Sequence, residues 1–156
     1  MGFKLGRRSR SRLKGVHPDL VAVLELAIAR TPLDFTVLEG VRSLERQKEL
    51  FASGASTTLN SRHLTGHAVD IAPLVGGKVS WAWPHYYRLE TVIKQAADDL
   101  GVPITWGGDW KSFKDGPHWE LKWSSYPKDS PKVERKEPKK WASKLHSFLL
   151  QSRSST

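Results

Sequence analysis

Two short segments, set about fifty residues apart, constrain this chain more than anything else in it: Ser61-Arg62-His63-Leu64-Thr65-Gly66-His67-Ala68-Val69-Asp70 and Asp115-Gly116-Pro117-His118-Trp119-Glu120. Between them they offer two imidazoles and a carboxylate at spacings that suit a divalent metal, with a spare carboxylate beside the last ligand. A catalytic zinc site takes three nitrogen or oxygen ligands, keeps one position open, and needs a base to receive the proton of water. His63, Asp70 and His118 fit as ligands and Asp115 as the base. A fold that uses them must bring the two segments together, and the pattern points to a zinc hydrolase. The chain contains no cysteine, so neither a disulfide framework nor a thiolate metal site is available to it.

The arrangement Ser61-x-His63-x-x-Gly66-x-Ala68-x-Asp70 followed by Asp115-x-x-His118 resembles the metal signature of the zinc D-alanyl-D-alanine carboxypeptidases and dipeptidases. Within that group it is most similar to the small phage endolysins that act as L-alanyl-D-glutamate peptidases. Phe3-Lys4-Leu5-Gly6, Gly15 to Leu20, Asp34-Phe35-Thr36-Val37, Gly40-Val41-Arg42-Ser43 and Trp106-Gly107-Gly108-Asp109-Trp110 follow the same pattern in the same order, so the resemblance spans roughly residues 3 to 122. It implies zinc (Zn2+) held by His63, Asp70 and His118, with Asp115 as the catalytic acid/base. It also places Arg42 at the site, where a guanidinium holds a substrate carboxylate or the developing oxyanion. The implied substrate is the stem peptide of peptidoglycan and the implied outcome is host cell lysis. A D-alanyl-D-alanine carboxypeptidase or dipeptidase on the same scaffold is the alternative, because specificity resides in the shape of the pocket.

Other residues compete for these roles. His67 lies four residues after His63, as in paired-histidine zinc helices, but Gly66 intervenes and the following residues read as a strand. A substrate-facing or surface role is expected for it. Glu120 rivals Asp115 as the base; on a strand it shares a face with His118 and is equally suited to hydrogen-bond that imidazole. Ser61 is expected to orient the site or touch substrate. His17, His85 and His146 read as polar surface residues, and Asp98, Asp99 and Asp109 as helix-end and loop acids rather than a second cation site.

The 156 residues suffice for one core, and 38% hydrophobic content with seven Trp fills it. The net charge of +9 is carried by the two ends: residues 1 to 14 hold six Lys/Arg and no acid, and residues 125 to 156 hold eight Lys/Arg and three acids. The body between them is therefore slightly acidic. A basic chain often signals nucleic acid, but the basic residues lie outside the part that carries the chemistry, so an anionic envelope is an equally good partner and no nucleic acid is expected; a non-enzymatic envelope or nucleic-acid binder is the remaining reading of charge alone. The basic start lacks the apolar run of a secretory signal. The chain is thus expected in the host cytoplasm, reaching the wall after release by a separate lysis factor, and as a monomer.

Periodicity predicts an α+β domain over residues 1–126, a small antiparallel sheet carrying the zinc site flanked by helices. Helices are expected over 18–30, from Ser43 through Phe51, and from Pro84 to before Gly101; strands over 35–41, 66–72, 104–106 and 118–123. Residues 52–60 and the Gly76-Gly77 pair read as loop and turn. Residues 127–140 form a Pro- and Lys-rich linker. In 141–156, Trp141, Leu145, Phe148 and Leu149 recur at i, i+4, i+7 and i+8, the pattern of a short basic amphipathic helix suited to anionic membrane or lipopolysaccharide contact.

Overall fold

The structure, a computed structural model, describes residues 2–129. The linker beyond Asp129 and the amphipathic tail lie outside the described residues. In chain order the elements are α1 (Arg7–Arg12), α2 (Pro18–Arg30), β1 (Phe35–Glu39), α3 (Leu44–Ala52), a 3-10 turn (Arg62–Thr65), β2 (Ala68–Val75), β3 (Lys78–Val79), α4 (Trp83–Leu100), β4 (Ile104–Trp106) and β5 (His118–Leu121). The sheet runs β1-β2-β5-β4, with β3 added to β2, and every pairing is antiparallel.

α2 starts where Pro18 supplies a preset first-turn φ, and its row of Leu20, Val23, Leu24, Ala27 and Ile28 is fully buried. That face packs on α4, whose Leu89, Ile93, Ala96 and Ala97 are buried in turn. Both helices share one core with Val69 and Ile71 of β2 and with Trp106 and Trp119, whose rings stack 5.7 Å apart. Alternation along β2 sends Val69 and Ile71 into this core, and Asp70 to the opposite face, where it is half-buried. Register does the rest. Glu39 of β1 lies opposite Asp70, and Asp70 lies opposite His118 of β5, so three neighbouring strands carry these residues in one row.

The expected helices and strands are present, with ends shifted by a few residues. Three local features were not expected. The basic segment at the start forms α1, which lies along the outer edge of β1. Ser9 Oγ accepts from Val37 N at 3.0 Å and Arg12 Nη1 donates to Val37 O at 2.8 Å, so side chains satisfy the edge strand. His17 is buried rather than on the surface: its Nδ1 accepts from Asp19 N at 3.0 Å and caps α2. The segment carrying His63 is a 3-10 turn rather than plain loop, and it ends at Gly66 with φ 73°, a left-handed cap.

Candidate active site

Three pieces of backbone converge on Asp70. The 3-10 turn presents His63; Ser61 caps that turn by accepting from His63 N at 3.2 Å, which gives the expected orienting hydroxyl a specific form. The connection from β1 to α3 lies against it, with Arg42 N donating to His63 O at 3.1 Å and Gly40 O accepting from His63 Nδ1 at 2.8 Å. The loop before β5 presents Asp115 and leads into His118 at the start of β5, and this stretch leans on Gly107: a Cβ there would stand 2.5 Å from Asp115 O and 3.0 Å from the His118 Cβ. Glycine at 107 is thus required by close approach of the stretch that carries Asp115 and His118.

One ligand atom from each of His63, Asp70 and His118 lies within 4.8 Å of the others, and among the described residues this is the group able to hold a metal. The hydrogen bonds around it define which atoms those are. A carbonyl can only accept, so His63 Nδ1 carries the proton given to Gly40 O, and Nε2 presents a lone pair. That Nε2 is buried with no hydrogen-bond partner, although Asp70 Oδ1 stands 3.3 Å away. His118 Nε2 is held at 2.8 Å by Glu120 Oε2, which turns Nδ1 toward the same Asp70 Oδ1 at 3.3 Å. Two imidazole lone pairs and a carboxylate oxygen facing one another repel unless a cation or protons lie between them. The donor set of two nitrogens and one oxygen suits a zinc-type ion.

Without a metal, protons take that place. Burial opposes charge on His118, but its bonds to Asp70 and Glu120 outweigh burial and push its pKa up to about 9. Burial likewise opposes the Asp70 charge, and His118 and His63 outweigh it, holding the carboxyl well below the usual range. Raised above its ordinary 6.5, His118 stabilises the metal-free fold fully below about pH 6.5, and that contribution is lost as pH rises through 9. The metal-free protein is therefore expected to lose several degrees of melting temperature between pH 6.5 and 9, and zinc uptake at neutral pH to release protons. Melting scans with and without chelator, and calorimetry in two buffers of different ionisation enthalpy, check both.

Asp115 stands beside this group. Burial raises its pKa, and the Asp70 charge raises it further. Such a carboxylate is a better proton acceptor than an exposed one. Glu120 Oε2 lies 2.8 Å from His118 Nε2, the contact expected of a residue that orients the imidazole. Arg42 is at the site, 3.6 Å from Asp70 Oδ2, but its fork is engaged: Nε and Nη2 donate to the two oxygens of Glu39 at 2.9 and 2.7 Å, and Nη1 donates to Gln47 Oε1 at 2.7 Å. Fully buried Gln47 in turn donates to Thr58 O at 2.6 Å, tying the loop after α3 to the site. The part of Gln47 did not stand out in the sequence, since it depends on helix facing.

His67 is not among the converging residues and is neither substrate-facing nor on the surface. It is buried, with Nδ1 2.7 Å from Thr65 Oγ1 and its ring beside that of His17. Asp99 and Asp109 are paired with Arg30 and Lys94. A cleft of about 710 Å³ opens over the site, walled by Arg46, Thr58, Trp110, Phe113, Lys114 and Trp123 among others. The Trp110 ring lies 5.0 Å from that of His118.

Fold and site together define a small α+β hydrolase with a candidate metal centre on one face of an antiparallel sheet, at its inner strands β2 and β5. Residues 1–134 match the family described as phage L-alanyl-D-glutamate peptidase. The chain is 33% identical over 130 residues to the L-alanyl-D-glutamate peptidase of Escherichia phage T5, covering 81% of this chain and 94% of that protein. It is 34% identical over 115 residues to the peptidoglycan L-alanyl-D-glutamate endopeptidase CwlK of Bacillus subtilis (strain 168), covering 63% of this chain and 66% of that one. The crystal structure of the Serratia marcescens L-Ala D-Glu endopeptidase ChiX superposes with a TM-score of 0.77 at 46% identity, over 80% of this chain and 94% of that one. The chain belongs to the phage L-alanyl-D-glutamate peptidase family.

Proposed function

We propose that this protein is a zinc-dependent peptidoglycan endopeptidase that hydrolyses the L-alanyl-D-glutamate bond of stem peptides and so lyses the host cell. The observation that carries the reading is the convergence of His63 Nε2, His118 Nδ1 and Asp70 Oδ1 under an open cleft, in a chain of this family. His63, Asp70 and His118 would hold the ion. Zinc there supplies Lewis acidity to the scissile carbonyl and to water.

The protein's own groups carry the remaining steps. Asp115, lining the cleft beside the ligand group, accepts a proton from the attacking water and delivers it to the leaving nitrogen. Glu120 keeps His118 Nδ1 turned inward. Arg42, clamped by Glu39 and Gln47, contributes a fixed positive charge beside Asp70 and toward the oxyanion. No acyl-enzyme is required, since water is the nucleophile.

Purified sacculi digested with the zinc-loaded protein are expected to release free stem peptides beginning with glutamate and to leave L-alanine on the glycan. A chelator should stop release, and added zinc should restore it. Products lacking only terminal D-alanine would instead establish the carboxypeptidase activity.

No helix among the described residues is long and apolar enough to cross a membrane. The protein is proposed to work as a monomer that meets the wall after a separate lysis factor releases it from the host cytoplasm. Its basic segment beyond Tyr126, with apolar residues at helical spacing, is proposed to contact anionic lipid or lipopolysaccharide. Truncation after Tyr126 is expected to leave melting temperature and sacculus hydrolysis unchanged while abolishing sedimentation with anionic vesicles at low salt. A large fall in melting temperature would show that the segment packs on the body instead.

A further inference from the structure

Three arginines line the cleft; Arg46 is exposed and paired with Glu49, and the two buried deeper, Arg42 and Arg62, differ in what they already bind. Arg42 has all three nitrogens committed to Glu39 and Gln47. Arg62, 2% exposed, also lines the cleft, yet only its Nη2 is used, donating to Leu121 O at 2.7 Å. Its Nε and Nη1 are buried without a hydrogen-bond partner. Among the described residues no carboxylate stands within ion-pair distance of it; Glu120, the acid whose field reaches it, is bound to His118. The Trp123 ring covers one face of the guanidinium, 4.3 Å from its centre.

A buried cation with idle donors is costly, and such groups in native proteins usually have an occupant to meet. A ring over one face holds the group in place without satisfying any N–H, because the donors lie in the guanidinium plane. Trp123 is 43% exposed and lines the same cleft, so its ring is what stands between solvent and the guanidinium. The two idle donors have the chemistry that suits a carboxylate, for which a permanently charged guanidinium is the fitting partner.

We propose that Arg62 is a specificity-determining residue that binds the free carboxylate of the residue on the leaving-amine side of the scissile bond. The inference rests on cleavage at an L-alanyl-D-glutamate bond. Glutamate has two carboxyl groups; one continues the stem and the other stays ionised, only a few bonds from the scissile nitrogen. It must enter the cleft together with the bond. Arg42 is poorly placed to receive it, because it would first have to release Glu39.

The test compares two stem peptides with the zinc-loaded full chain, one with that carboxylate free and one with it converted to the amide. Wild type is expected to cleave the acid with kcat/KM at least about tenfold above the amide, mostly through KM, the scale of one charge-assisted hydrogen bond. Arg62→Gln should bring the acid down to the amide level while sparing amide cleavage and zinc content. Arg62→Lys, which keeps charge but loses the planar donors, should give an intermediate ratio, and it decides the matter should the Gln variant not fold. Equal cleavage of acid and amide by wild type, or an acid/amide ratio unchanged in the variants, overturns the proposal. Failure of wild type to cut either peptide at the alanyl-glutamate bond would instead refute the reading of function on which it rests.

Discussion

His63→Ala is expected to abolish zinc binding and sacculus hydrolysis together, with activity falling by at least about a thousandfold, beyond the roughly 10- to 100-fold that loss of an outer-shell partner brings. The basis is geometric. His63 Nε2 has a single direction to face, toward Asp70, because Nδ1 is held by Gly40 O at 2.8 Å. Alanine removes that donor from a site of three, and two ligands do not retain zinc in competition with water. The fold should survive, since the imidazole is no part of the apolar core between sheet and helices. Metal analysis, melting temperature and muropeptide release together check this. A His63→Ala protein that kept stoichiometric zinc would overturn the ligand assignment, and His67→Ala serves as the contrast. His67 is turned away toward Thr65 and His17, so that variant should keep its zinc.

The proposed ligands stood out in the sequence because their logic is local. Asp70 sits between Val69 and Ile71 in a period-two segment, and the fold uses that alternation to put the two apolar neighbours in the core and the carboxylate on the other face. What stayed hidden depends on contacts between distant segments. α1 has no apolar periodicity to announce it; it forms because Ser9 and Arg12 complete the edge of β1, a partner some 25 residues away. The commitment of Arg42 to Glu39 and Gln47 follows from the bend that ends β1 and from the facing of α3. Arg62 occupies a variable place in the motif that drew attention to His63, and nothing in its spacing tells that two of its nitrogens are buried and idle. Gly107 read as part of a motif, but its reason is the approach of Asp115 O, a tertiary fact.

Asp115→Asn is expected to retain zinc and melting temperature while losing at least about a hundredfold in kcat, the ordinary scale of a removed general acid/base. The amide preserves the shape of the side chain and the backbone bonds of the loop, in which Asp115 N donates to Gly107 O at 3.0 Å, so loop position should not change. What it removes is the ability to accept a proton. Glu120→Gln separates this from a loss of orientation. Glu120 acts on His118 Nε2 at 2.8 Å, and its amide can still accept there only in one of two flips, so zinc affinity should fall by about 10- to 100-fold with kcat at saturating zinc largely kept. The two acids thus predict opposite signatures: rate without metal loss for Asp115, metal loss without rate for Glu120. An Asp115→Asn protein that turned over normally at saturating zinc would move the proton-transfer role to Glu120, even though the structure has that carboxylate occupied with holding a ligand.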